Sequence, residues 1–211
     1  MSSLGLYARK LQYANSLFRE LLLLKLHSAY FIMKLACHGI QIGKPVQVSG
    51  DVFLRLHPLG NLKIGGGCRF KSQTGCNPLG RFHKLSFVIA KGGLLEIGNC
   101  VGISNSTIYA SSKVSIGDNS LIGAGCTIVD SDFHYLSTNV LNKEDKSVPK
   151  KPVAIGKNVF IGAFCIVLKG VSIGDGAIIG AGSIITRNIP PGQIWAGNPA
   201  MFKKNVSDRS G

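Results

Sequence analysis

Residues 155–190 read IGKNVF IGAFCI VLKGVS IGDGAI IGAGSI ITRNIP, six hexads in succession. An aliphatic residue opens each one: Ile155, Ile161, Val167, Ile173, Ile179 and Ile185. Glycine follows it in four of the six. The fifth position holds Val159, Cys165, Val171, Ala177, Ser183 and Ile189. A period this strict outranks local propensity and predicts a solenoid. Each hexad is one side of a triangular coil, a short strand followed by a tight turn. The aliphatic residue fills the prism, and the fifth residue packs beside it. Glycine, Asn and Asp suit the corners, where backbone angles are unusual. No coil buries its apolar side alone, so coils must stack.

Outward from this stretch the pattern continues less cleanly. Ile116, Ile122 and Ile128 are in step, as are Ile97 and Ile103. Ile103 to Ile116 is thirteen residues, two hexads plus one, which places one extra residue at a corner near Ser111-Ser112. Ile42-Gly43 and Ile64-Gly65 mark ragged first coils. The spacing breaks between Ile128 and Ile155, so residues 133–152 form an excluded loop, rich in Asn, Lys and acids. A loop of about twenty residues in a regular solenoid is the first place to look for chemistry. The division is a helical segment over 1–40, a β-helix over 41–190 and an exit segment over 191–211.

The chain has 211 residues, of which 45% are hydrophobic and 16% charged, a balance that argues against disorder. None of the six cysteines forms a C-x-x-C pair. Cys126 and Cys165 fall on the small interior position and read as buried fillers. With no disulfide framework and no leader pattern, the expected compartment is the cytoplasm. The net charge of +14 is spread along the chain without aromatic-basic interleaving, so no nucleic-acid partner is expected. Anionic cofactors, glycans or lipid surfaces fit the charge equally well. Residues 1–50 hold six Lys/Arg and one acid, Glu20. Lys25, His27 and Lys34 interrupt the run LFRELLLLKLHSAYFIMKL, which excludes a spanning helix. The segment reads as one or two helices capping the open end of the prism. Its basic balance also suits peripheral contact with an anionic membrane surface, the inner face.

Three stretches carry a resemblance: IGDNSLIGAGCTIVDSDFH, the coils from Val153 to Gly192, and IWAGNPAMFKK. They make the chain similar to the left-handed β-helix acetyltransferases. The resemblance is to the bacterial sugar O-acetyltransferases of the maltose, galactoside, nodulation-factor and polysaccharide group. It implies a left-handed parallel β-helix, against the usual right-handed crossover. It also implies a homotrimer, with acetyl-CoA lying in the groove between neighbouring prisms.

Acetyl transfer to a sugar hydroxyl needs a base that takes the hydroxyl proton, and histidine titrates in the right range. Among five histidines, His134 alone stands where a regular coil meets the excluded loop, and it matches the family's catalytic histidine. His27 and His38 read as packing or surface groups. His57 and His83 lie in irregular regions, and their spacing from His134 does not suit a zinc site, so no metal is expected. Asp130, Asp132 or a backbone carbonyl would fix the His134 tautomer. The resemblance implies that Asn105 contacts the acceptor, although a corner asparagine explains it as well. It further implies that the Ala163 amide meets the oxyanion, that Phe160 flanks the site, and that Ala181-Gly182 line the pantetheine arm. Thr186, Arg187, Lys203 and Lys204 meet the adenine and phosphates on this reading; a solvated basic tail is the alternative. The expected activity is O-acetylation of a saccharide for cell-surface polysaccharide or glycolipid. The alternatives are N-acetylation of a nucleotide-linked amino sugar, a xenobiotic acetyltransferase, and a silent solenoid.

Overall fold

The computed structural model describes residues 3–72, 79, 84–134 and 148–209. His83, Cys76 and residues 135–147 of the excluded loop lie outside them.

Three parallel sheets form among these residues. The first contains β1 (Val46–Gly50), β4 (Cys68–Ser72), β7 (Gly102–Ser104), β10 (Leu121–Ile122), β13 (Phe160–Ile161), β16 (Ile178–Ile179) and β18 (Gln193–Ala196). An antiparallel strand, β19 (Met201–Asn205), closes its C-terminal end. The second contains β2 (Phe53–Leu56), β5 (Ser86–Ile89), β8 (Thr107–Ala110), β11 (Thr127–Val129), β14 (Ile166–Val167) and β17 (Ile184–Ile185). The third contains β3 (Asn61–Ile64), β6 (Leu94–Ile97), β9 (Lys113–Ile116), β12 (Val153–Ile155) and β15 (Ser172–Ile173). Up to β17, each strand pairs with the one three places on, the topology of a three-sided coil. Its hydrogen bonds run between coils, as the hexad requires.

The predicted phase holds residue by residue. All six hexad-opening aliphatics from Ile155 to Ile185 are buried, and so are all six fifth-position residues. Each buried Ile or Val contributes about 1.5–3 kcal/mol, so the core is a column of small, equal gains. Corner glycines have a stacking role. A Cβ on Gly123 would lie 2.6 Å from the Ala163 nitrogen, and one on Gly162 2.6 Å from that of Ala181.

The thirteen-residue interval divides differently from the expectation. Ile103, Ile108 and Ile116 are the aligned interior residues, pairing with Ile122, Ile128 and Ile155. The steps are therefore five and eight, not six and seven. The corner at Asn105-Ser106 is one residue short, and the Ser111-Ser112 corner is two residues long. Asn105, at the short corner, is buried and takes φ +39°. The long one is held by the buried Asp130 carboxylate, which accepts hydrogen bonds from Ser111 N–H, Ser111 Oγ–H and Ser112 N–H at 2.6–3.0 Å.

One helix, α1 (Ser3–Cys37), covers the open end. β1 is an edge strand, and side chains of α1 take up its outward donors. Ser28 Oγ accepts from Val48 N–H at 2.9 Å, and His27 Nδ1 accepts from Gly50 N–H at 3.1 Å. Phe31 and Leu35 are buried beneath, and the Phe31 ring meets Phe70 edge to face at 6.0 Å. His27 is thus an edge-capping group. From Tyr13 to Leu22 every residue of α1 is exposed.

Candidate acyl-transfer site

The ten residues expected at the site sort onto the corners of the second sheet and the outer face of the first. Asn105 precedes β8, Ala163 precedes β14, and Ala181-Gly182 precede β17. Hydrogen bonds link these corners from coil to coil. Gly125 N–H donates to Asn105 O at 2.9 Å, Phe164 N–H to Ala124 O at 2.8 Å, and Gly182 N–H to Ala163 O at 2.8 Å. Phe160 stands just before this edge, pointing out of β13 at 47% exposure. His134 lies past the other edge, after β11, and Thr186-Arg187 follow β17 on the same side. A strand of four residues, roughly 13 Å of chain, separates the two edges. Within the single chain the structure therefore does not bring His134 together with Asn105 or Ala163.

The turn carrying His134 is tightly specified. Ser131 bridges Lys150 antiparallel, and Lys151 N–H donates to Asp130 O at 2.9 Å, so the two ends of the loop are tied together. Phe133 takes φ +62°, and its ring packs on Tyr109 with centroids 4.6 Å apart. His134 N–H donates to Asp132 O at 2.7 Å, and the imidazole faces solvent. Neither expected aspartate orients that ring. Asp130 is taken by the Ser111-Ser112 corner, and the Asp132 carboxylate pairs with Lys169. Lys169 went unnoticed in the sequence, where it reads as one more corner lysine.

Lys203 and Lys204 lie on β19, exposed. Lys204 is opposite Ile194 of β18. The first sheet thus has one outward register row: Arg69, Gly102, Leu121, Phe160, Ile178, Ile194, Lys204. Arg69 and Lys71 also escaped the sequence reading, although the alternation C-R-F-K-S of β4, buried at every second residue, points both outward. The buried thiols are fillers: burial pushes Cys68 up, and the neighbouring Cys165 sulfur followed by burial pushes Cys126 up.

A hexapeptide repeat of succinyl-transferase is matched at residues 113–130 and 152–187. The galactoside O-acetyltransferase of Escherichia coli is 38% identical over 119 residues, 56% of this chain and 57% of that one. The galactoside O-acetyltransferase of Lactococcus lactis is 38% identical over 104 residues, 49% of each. The chain thus spans about half the length of these curated relatives. An N-acyltransferase from Bacillus cereus, solved with dTDP-4-amino-4,6-dideoxyglucose and coenzyme A, shares the fold. Its TM-score is 0.63 at 23% identity, over 82% of this chain and 88% of that one. The chain is similar, then, to the hexapeptide-repeat acetyltransferases. Within that class its coils resemble those of the sugar O-acetyltransferases.

Proposed function

We propose that this chain is an acetyl-CoA-dependent O-acetyltransferase acting on a saccharide, in cell-surface polysaccharide or glycolipid synthesis. It works as a homotrimer of left-handed prisms in the cytoplasm, with α1 toward the inner face of the membrane. The observation that carries the reading is the division of the site residues between two edges of one sheet. One prism offers Asn105, Phe160 and Ala163, and its neighbour offers His134, Thr186 and Arg187. A groove between prisms is the place where both sets meet.

In that groove His134 accepts the proton of the acceptor hydroxyl as its oxygen attacks the thioester carbonyl. Asn105 holds the hydroxyl, and the Ala163 N–H, which donates to nothing among the described residues, meets the oxyanion. Collapse of the intermediate expels the CoA thiolate, which takes the proton back from the imidazolium. Ala181-Gly182 hold the pantetheine arm, and Lys203 and Lys204 the phosphates.

N-acetylation of a nucleotide-linked amino sugar is the second reading. The same base serves an amine, and the Bacillus cereus protein of similar fold was solved with such a sugar nucleotide. Thiol release from acetyl-CoA, run against matched hydroxyl and amine sugars, tests both. Release with hydroxyl acceptors alone supports the first reading. Release with amines alone supports the second, and release with neither contradicts both.

A further inference from the structure

We infer that Arg69 and Lys71 form an anion site at the acceptor end of this groove, and that the acceptor is a saccharide carrying phosphate. The inference rests on the acyl-transfer reading and names its substrate class. Both side chains project from the outer face of β4, beside a concavity of about 280 Å³. Gly102, Ser104, Leu121 and Phe160 are among its other walls. Gly102 keeps the notch open: a Cβ there would lie 2.7 Å from Leu121 Cδ2.

These cations differ from the basic residues of the third sheet. There Glu96 sits between Lys63 at 3.0 Å and Lys113 at 2.7 Å, and the hydrogen bonds from Lys113 and then Lys63 hold its carboxyl below the usual range. Those two lysines share a carboxylate within the protein. Arg69 and Lys71 have no carboxylate partner among the described residues. Their neighbours across the register are Gln47, Ser49, Gly102 and Ser104. An arginine fork, an ammonium and a hydroxyl on one notch suit a phosphate group, which takes several charge-assisted hydrogen bonds at once.

The register row says which substrate this is. Arg69 stands three strands from Phe160, roughly 14 Å at 4.8 Å per strand, and Lys204 stands three strands away in the opposite direction. The donor's nucleotide end claims the Lys204 side. The Arg69 side is left for a second anion, on the other reactant.

Calorimetry on the full chain tests this with glucose 1-phosphate, UDP-glucose, glucuronate and glucose, each with and without saturating CoA. The wild type binds one or both phosphorylated sugars, with CoA present, and binds glucose and glucuronate at least about tenfold more weakly. Glucose 1-phosphate as the tighter ligand assigns a sugar phosphate; UDP-glucose assigns a nucleotide diphosphate sugar. Arg69→Ala/Lys71→Ala abolishes that preference and leaves CoA affinity unchanged, while Arg69→Lys/Lys71→Arg restores most of it. No phosphate preference in the wild type overturns the inference. So does a double variant that loses CoA affinity, which would put these residues on the donor. The acyl-transfer reading fails separately, by absence of thiol release from acetyl-CoA.

Discussion

Asn105 and His134 stand at opposite edges of the same parallel sheet, one before β8 and the other after β11, with the paired strands between them. Two residues proposed to touch one hydroxyl cannot both do so from a single prism. On the proposed reading, assembly is therefore part of catalysis.

Replacing His134 with Ala removes the proposed base without touching the core, because the side chain is exposed. The expected outcome is kcat lower by roughly 10²–10⁴ with acetyl-CoA affinity unchanged. Steady-state kinetics and CoA titration check it; near-normal turnover contradicts the assignment.

Lys203 and Lys204 are adjacent on β19 and both exposed, and Lys203 is the extra residue of a β-bulge, without a register partner between the Ile194–Lys204 and Trp195–Phe202 pairs. Lys204 lies in the row that includes Phe160. Lys204→Ala is expected to raise KM for acetyl-CoA by up to about fivefold, on the order of 1 kcal/mol for an exposed pair. Lys203→Ala should do less, and acceptor KM should not move. The Lys204 effect should shrink as salt rises. Equal effects from the two variants would contradict the place given to Lys204 in that row.

Ile173 lies between Ile155 and Ile189 in the interior column. Ile173→Asp places a charge there with no partner, costing several kcal/mol. Insoluble protein or loss of the cooperative transition is expected. A soluble, cooperatively unfolding variant contradicts the hexad phase.

α1 closes the first coil through Phe31 and Ser28. Phe31→Ala removes a buried ring from the α1–prism contact and should cost about 3–5 kcal/mol. Ser28→Ala leaves the Val48 N–H without its acceptor, at about 1–3 kcal/mol. Denaturant melts give both. A Phe31→Ala change under about 1 kcal/mol, far below a buried ring's worth, would mean that α1 does not close the solenoid.

The prism was legible in the sequence because its period is enforced by sterics at every coil. The aliphatics from Ile155 to Ile185 all face the interior, and a slip of one residue toward the C-terminus would put glycine at four of those six positions. The long corner at Ser111-Ser112 was half legible. The count of thirteen showed an excess, but only the register divides it into five and eight. The reason lies in Asp130, whose carboxylate replaces the missing coil-to-coil partners. The candidate site residues could be named from the sequence, but not their arrangement. His134 and Asn105 carry chemistry in their side-chain types, whereas their separation depends on which corner each occupies. Arg69 and Lys71 were missed because a basic residue on a strand is ordinary, and only the acid-free neighbourhood across three strands sets them apart.

The most direct measurement is complementation between Asn105→Gly, which keeps the positive-φ corner unstrained, and His134→Ala. Each variant alone should be nearly inactive. Mixed trimers, co-expressed with two tags and isolated by both, contain one interface in three with both residues intact. A site shared between prisms predicts about one third of wild-type turnover from these trimers. Mixed trimers as inactive as either parent would place the whole site within one prism and contradict it.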